Sequence, residues 1–328
     1  MKTVIVTGGL GFIGSNLVKL LNQRNYYVVN VDKCTYASNL NNINKKIKNY
    51  KFYKLDINSI NLLKNILIKY KPKIIFNLAA ETHVDKSIEK PIAFIKSNYL
   101  GVFSILELIK SLKINTRLIH ISTDEVYGSI EKGRKSKEED AYKPSSPYSS
   151  TKAGADLLIK SYIKTYNSPA IITNSCNNYG PNQDPEKLIP TIILQILKKR
   201  AVPIYGLGKN EREWIYVNDN CRALIEIAEK GIIGETYNIG SGEVFSNLEI
   251  AKKIIKILKY GKTKFVKDRP GHDLRYSLNS EKIYKQTRWL PLVKIDSGLK
   301  ITTDWYLNKF KENFFINKKI GKRLGLIK

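Results

Sequence analysis

The chain has 328 residues, with 56 Lys or Arg against 29 Asp or Glu and a formal net charge of +27. That length holds one large α/β unit or two modest domains with a sizeable core, and no run approaches the ~18 consecutive apolar residues of a membrane span. The lysines are spread from Lys2 to Lys328 among isoleucines and asparagines with no aromatic-interleaved basic motif, so solvated lysine faces are expected, not a nucleic-acid or membrane surface.

In chain order, apolar runs of strand length alternate with helical patterns. VIVTG (4–8) reads as a strand, and Phe12, Ile13, Leu17, Leu20 and Leu21 then recur at helical spacing. YVVNVD (27–32) and KFYKLD (51–56) are further strands, and Ile60, Leu63, Ile66 and Leu67 mark a helix. KIIFNLAA (73–80) and RLIHIST (117–123) read as buried strands, with a helix over roughly 91–112 between them. A long helix is expected after Tyr148, then the strand AIITN (170–174). Strands separated by helices imply right-handed βαβ crossovers, hence a doubly wound parallel sheet covered on both faces. Past residue 175 the pattern changes, punctuated by Pro181, Pro185, Pro190 and Pro203. The expected organisation is therefore α/β: a Rossmann-type domain over 1–175, and a smaller mixed α/β substrate region over 176–328. Part of 214–240 is expected to return to the main sheet. The basic tail Lys318, Lys319, Lys322 and Arg323 reads as a frayed end.

Cys34, Cys176 and Cys221 are odd in number and far apart, and His83, His120 and His272 are equally scattered. This spacing argues against a disulfide framework and a metal site and for free thiols in a reducing compartment. With a working strand beginning at Val4, no leader is expected and a cytoplasmic setting is.

Residues 8–14 read Gly-Gly-Leu-Gly-Phe-Ile-Gly. Gly8, Gly11 and Gly14 permit a tight turn and close approach of a pyrophosphate to the backbone, and the following helix offers free N–H groups and a positive dipole end. Asp32 ends the second strand, 18 residues beyond Gly14. A carboxylate there accepts hydrogen bonds from both ribose hydroxyls and repels a 2′-phosphate, which favours NAD over NADP.

Two segments carry the candidate chemistry. Thr123-Asp124-Glu125 follows a strand, at a carboxyl end of the sheet where open α/β folds bind ligands. Tyr148 and Lys152, four apart, share one face of a helix. An ammonium beside a phenol favours the phenolate, so Tyr148 is expected to have a lowered pKa and to act as a base.

Together these segments resemble the extended short-chain dehydrogenase/reductase family, whose triad is Ser or Thr plus Tyr and Lys. Within it, TDEVYG, NVDKCTYASNL (30–40), NLAAETHVDKSI (77–88), NNYGPNQDPEKLIP (177–190), REWIYVND (212–219), ETYNIGSGE (235–243) and DRPGHDLRY (268–276) resemble nucleoside-diphosphate-glucose 4,6-dehydratases, up to about residue 306. The resemblance implies a reaction that removes water across C5 and C6 of a glucose nucleotide. Tyr148 would take the C4 hydroxyl proton, Thr123 hold that hydroxyl and Lys152 steady the phenolate. Glu125 would be the base at C5, and Asp124 the acid at the departing C6 hydroxyl.

Carried over by resemblance, Phe12, Ile13, Asp32, Lys33, Thr35, Asp56, Ile57, Leu78, Ala79, Ala80, Ser97 and Asn178 contact NAD, joined by Tyr148 and Lys152. Thr82, Thr123, Asn177, Lys187, Leu188, Tyr205, Arg212, Asn247, Arg269 and His272 contact the sugar nucleotide, whose base is thymine or uracil. The guanidinium forks of Arg212 and Arg269 suit its diphosphate. The family also implies a homodimer paired through the helices near 91–112 and 148–166. Cys34, Ser38 and the order Ser175-Cys176 depart from the family pattern. The competing readings are a nucleotide-sugar 4-epimerase or decarboxylase, which shares Thr123, Tyr148 and Lys152 but has no such use for Asp124 and Glu125. A non-enzymatic binder of NAD or nucleic acid is the more distant rival.

Overall fold

The computed structural model describes residues 1–44 and 46–312; the basic tail lies outside them. The first half runs β1 (Thr3–Thr7), α1 (Phe12–Gln23), β2 (Tyr27–Asp32), β3 (Tyr50–Lys54), α2 (Ile60–Tyr70) and β4 (Ile74–Asn77). It continues through α3 (Val84–Glu89), α4 (Pro91–Phe94), α5 (Gly101–Leu112), β5 (Arg117–Thr123), α6 (Pro147–Tyr166) and β6 (Ala170–Ser175). Next come β7 (Asn177–Tyr179), α7 (Leu188–Leu197), β8 (Val202–Tyr205), β9 (Glu211–Tyr216), α8 (Val217–Lys230) and β10 (Thr236–Ile239). The last elements are β11 (Val244–Ser246), α9 (Asn247–Leu258), β12 (Thr263–Val266), α10 (Glu281–Thr287) and α11 (Ile295–Lys311).

Seven strands form one parallel sheet in the order β10-β6-β5-β4-β1-β2-β3. Alternation along each strand explains its two covered faces. Val4, Val6, Val28, Phe76, Ile119 and Ile171 pack with Leu17 and Leu21 of α1 and Leu224 and Ile227 of α8. Ile5, Val29, Val31, Ile75 and Leu118 pack on the other face with Leu63 and Leu67 of α2, Ile105 of α5 and Ile159 of α6. Each such fully buried aliphatic side chain contributes roughly 1.5–3 kcal/mol. The segment Pro91–Leu112 is long and apolar enough to cross a membrane by length and composition, yet its Val102, Ile105 and Leu106 are buried in this second layer.

The chain runs outward from β1 to β3, then crosses back to β4 on the other side of β1. The reversal opens a crevice between the carboxyl ends of β1 and β4. The fourth strand is shorter than the expected 73–80. Thr7 pairs with Asn77 and Leu78 N–H still donates to the Thr7 carbonyl, but Ala79 N–H turns to the Thr7 hydroxyl at 3.2 Å. Leu78–Ala80 thereby leave the sheet. The helix expected over 91–112 is also interrupted, by a π-helical turn over Ile95–Leu100. Its Asn98 side chain pairs with the backbone of Glu81 and with Thr151, a local use of side-chain polarity that typifies such turns.

Beyond β6, a third core joins Ile192 of α7, Ile204 of β8, Trp214 of β9, Ile254 of α9 and Leu299 of α11. It surrounds a three-stranded sheet, β11-β9-β7, and the pair β12-β8. Of the segment 214–240, Trp214–Tyr216 belong to β9, whereas α8 and β10 join the main layer.

Candidate active site

The turn from β1 to α1 is shaped by glycine. Gly8 has φ +68°, and a Cβ there would lie 2.8 Å from the Leu78 carbonyl. At Gly14 a Cβ would lie 2.2 Å from the Gly8 carbonyl oxygen. Helix α1 has no side-chain cap at Gly11, which leaves its dipole end open on a cleft lined by Gly8, Gly11, Phe12, Ile13 and Gly14. Asp32 borders the same cleft. Its carboxylate accepts hydrogen bonds from Leu10 N–H at 3.0 Å, Cys34 N–H at 2.8 Å and the Ser38 hydroxyl at 2.7 Å. Ser38, an atypical residue in the sequence pattern, therefore anchors the Asp32 carboxylate.

Lys33 lies 3.9 Å from the carboxylates of both Asp56 and Glu81 and donates to the Ser97 hydroxyl. Its charge is thus countered within the protein, which removes the attraction for a 2′-phosphate that a free lysine beside Asp32 would offer. Thr35, Ile57, Leu78, Ala79, Ala80 and Asn178 complete this end of the cleft. The Asn178 side-chain oxygen is buried without a partner, leaving an acceptor to be satisfied by a ligand. The glycine cradle, the open helix end, Asp32 and Asn178 fit a dinucleotide.

The cleft continues to Thr123, Asp124, Glu125, Tyr148 and Lys152. Thr123 ends β5 and caps the 3-10 turn Asp124–Tyr127, accepting from Glu125 N–H at 3.3 Å and donating to Asp124 at 3.1 Å. Ser146 and Ser149 form a capping box that starts α6, with Pro147 in its first turn. That start places Tyr148 and Lys152 one turn apart. Tyr148 packs edge-on against Phe94, ring centroids 6.4 Å apart.

The electrostatics correct one expectation. Tyr148 has its pKa raised, first by burial and then by the Glu125 carboxylate, with the Thr123 hydrogen bond opposing. The Lys152 ammonium donates to the Ile121 carbonyl. The two acids differ. Asp124 is pushed well above the usual carboxylate range by burial and then by Glu125. Glu125 is raised by burial too, but Arg269, Arg212 and Lys187 pull it back in that order.

Those three cations come from separate segments. Lys187 donates to the Thr82 carbonyl at 2.6 Å. Arg212 donates to the backbone carbonyls of Glu211 and Asp273 and stacks over Tyr276 at 4.3 Å. Arg269 pairs with Asp85 at 2.9 Å, and the Tyr205 hydroxyl donates to the other Asp85 oxygen. His272 faces the Tyr205 ring and is held at about 4 by burial and then Arg269. Thr82, Asn177 and Lys187 line the cleft with the catalytic candidates. Leu188 packs against the third core, and Asn247 begins α9, its N–H on the Asn210 carbonyl. Sequence reasoning missed Asp85 and Tyr276. Both lie inside quoted family segments, but their partners come from distant parts of the chain. Among the described residues, no group of three or more His, Cys, Asp or Glu could hold a metal ion.

A family profile described as GDP-mannose 4,6 dehydratase matches residues 5–302. The chain is 41% identical to the dTDP-glucose 4,6-dehydratase of Haemophilus influenzae, covering 94% of this chain and 98% of that one. It is similar to the dTDP-glucose 4,6-dehydratase of Streptomyces venezuelae solved with NAD bound, with TM-score 0.91, 38% identity, and 94% and 98% of the two chains covered. The corresponding enzyme of Bacillus anthracis in complex with NAD has TM-score 0.89 and 39% identity, over 95% and 98%.

Proposed function

The chain belongs to the nucleotide-sugar 4,6-dehydratase family, and from that premise we propose that it is an NAD-dependent hydro-lyase converting dTDP-glucose to the 4-keto-6-deoxy-glucose nucleotide. The observation that carries this reading is the contrast between adjacent Asp124 and Glu125. Burial makes Asp124 the harder of the two to ionise, while Arg269, Arg212 and Lys187 favour the Glu125 anion. Neighbouring carboxyl groups driven apart in this way take the acid and base roles of an elimination.

Gly8, Gly11, Gly14, Asp32 and Asn178 hold the dinucleotide, and Ser97 and Asp56 reach it through Lys33. When bound, NAD supplies the hydride acceptor at C4 and the donor that later reduces C6. Tyr148, ionised to the phenolate that the Lys152 ammonium steadies, removes the proton of the C4 hydroxyl, which Thr123 positions. The C4 carbonyl then acidifies C5–H, and Glu125 takes that proton. Asp124 protonates the C6 oxygen, which leaves as water. Arg212 and Arg269 engage the diphosphate through their paired N–H donors. An epimerase or decarboxylase needs neither Asp124 nor Glu125 in these roles, so the pair favours dehydration.

The protein works in the cytoplasm as a homodimer in this reading. Ile92, Ile95 and Phe103 on the 91–112 segment and Leu157 on α6 are exposed apolar side chains on neighbouring elements, suited to a second copy. The deciding experiment is incubation with dTDP-glucose, UDP-glucose and UDP-N-acetylglucosamine, followed by mass analysis. Loss of one water from dTDP-glucose is the expected result. Epimerised or decarboxylated product without water loss would overturn the dehydratase reading, and water loss from a uridine nucleotide alone would reassign the base.

A further inference from the structure

Beneath the catalytic residues runs a row of buried polar groups that the elimination does not use. Ala79 N–H donates to the Thr7 hydroxyl at 3.2 Å, so the hydroxyl's own proton is free to point onward. It donates to the Asn77 side-chain oxygen at 2.7 Å. That contact fixes the amide orientation and turns its NH2 toward His120 Nδ1, 3.1 Å away. An NH2 only donates, so Nδ1 carries the lone pair, and a neutral ring keeps its proton on Nε2. Nε2 faces Asp156 Oδ1 at 3.5 Å. That separation is an ion-pair distance and not a hydrogen bond, and both buried atoms lack a hydrogen-bond partner. The other Asp156 oxygen accepts from the Ser122 hydroxyl at 2.6 Å.

Each hydrogen bond of the row therefore donates in the same direction, from the wall of the dinucleotide cleft to His120, whose Nε2 faces the fully buried Asp156 carboxylate. Asp156 stands four residues after Lys152 on α6, hence on the same helical face. Lys152 in turn donates to the carbonyl of Ile121, between His120 and Ser122 on β5. A buried carboxylate is retained as an anion only when its oxygens are satisfied and a cation is near. Here Ser122 satisfies one Asp156 oxygen, the other faces His120 Nε2 across 3.5 Å, and Lys152 is the cation one helical turn away.

We propose that Asp156 and His120 are positioning residues for Lys152: the polar row holds the Asp156 carboxylate as an anion, and that anion keeps the Lys152 ammonium charged one turn from Tyr148. The inference rests on the role given above to Tyr148 and Lys152. The surrounding titratable groups are consistent with it. Burial lowers Lys152 to about 8, with Asp156 the group opposing that shift. Burial raises Asp156 to about 6, opposed by Ser122, Lys152, Tyr142 and Lys160. His120 is held neutral by burial and then by Lys152. Tyr127 and Tyr148 also feel the Asp156 charge, though burial is the larger cause of their raised pKa values. At neutral pH the cluster is thus an anion, a cation and a neutral imidazole.

The sign of the consequence follows. Lys152 loses its charge as pH rises through about 8, so activity falls on that alkaline side. Neutralising Asp156 removes the group that opposes deprotonation, and the alkaline limb moves to lower pH. Loss of a carboxylate one helical turn away, screened as at partly buried sites, implies a shift on the order of one pH unit. The test is the pH profile of kcat/KM for Asp156→Asn, Ser122→Ala and His120→Leu, each checked for fold by circular dichroism. Lysine side-chain NMR titration, with the Lys152 signal assigned by Lys152→Met, gives the same shift without substrate. Asp156→Asn is expected to move both readouts down by about one unit, and the other two variants by less in the same direction. Unmoved limbs and an unmoved Lys152 titration in folded variants would overturn the proposal. Should Asp156→Asn not fold, the other two decide the question by the same criterion. A wild-type protein that fails to dehydrate any nucleotide sugar sinks the dehydratase reading alone, because the NMR titration still reports on Lys152.

Discussion

At the scale of single residues, the site works by placing groups of like chemistry in unlike surroundings. Tyr148→Phe keeps the ring that packs on Phe94 and removes only the hydroxyl. Turnover is expected to fall at least ~10²-fold, the low end for loss of a general base, while the melting temperature stays near wild type; unaltered turnover in steady-state assays would exclude Tyr148 from the role. Asp124 and Glu125 are expected to block different steps. In Glu125→Gln, exchange of C5 deuterium into water slows together with product formation. In Asp124→Asn that exchange persists, but water loss lags, because the C6 oxygen lacks its acid. Deuterium washout by NMR and product mass in parallel separate the two; normal dehydration in both variants would refute the assignment of the pair.

At the scale of elements, backbone geometry does the positioning. The β1–α1 turn brings the Gly8 carbonyl so close to Gly14 that an added methyl has no space. Gly14→Ala gains up to about 1 kcal/mol of helix propensity, but a clash with backbone forces the turn to shift and costs roughly 1–3 kcal/mol. The net expectation is a lower melting temperature and a weaker hold on NAD, read by thermal unfolding and by the cofactor recovered from the denatured protein. A variant that keeps wild-type stability and a full complement of NAD would show that the turn tolerates the methyl. The capping box of α6 acts alike on the catalytic pair, since Ser146 and Ser149 set the first turn from which Tyr148 and Lys152 project.

At the scale of the whole molecule, the two lobes meet at the cleft. The main sheet provides the candidate dinucleotide turn and the candidate catalytic residues, while Lys187, Arg212 and Arg269 arrive from segments beyond β6 and act electrostatically on Glu125. The exposed apolar side chains of the 91–112 segment and α6 predict self-association. Sedimentation of the wild-type protein is expected to give twice the chain mass of 37.5 kDa, and Ile92→Glu combined with Phe103→Glu to give the chain mass. A wild-type monomer at micromolar concentration would remove the dimer from the reading.

The sequence by itself determined the features that depend on local pattern. Period-2 and continuous apolar runs set the strands of the parallel sheet, because a strand buried on both faces has little freedom in composition. Glycine spacing marked the dinucleotide turn, because only a missing Cβ allows that approach. Spacing also singled out Thr123, Tyr148 and Lys152, whose relation is one strand end and one helical turn. What lay beyond it was set by partners remote in the chain. The end of β4 depends on where β1 stops, and the break at Ile95–Leu100 on Asn98 reaching Glu81 and Thr151. The high pKa of Tyr148 depends on burial and on Glu125 rather than on Lys152. The row from Ala79 to Asp156 joins residues from three strands, the loop after β4 and helix α6. Only the tertiary structure decided these, because desolvation and charge–charge energies depend on distances in space that sequence separation does not report.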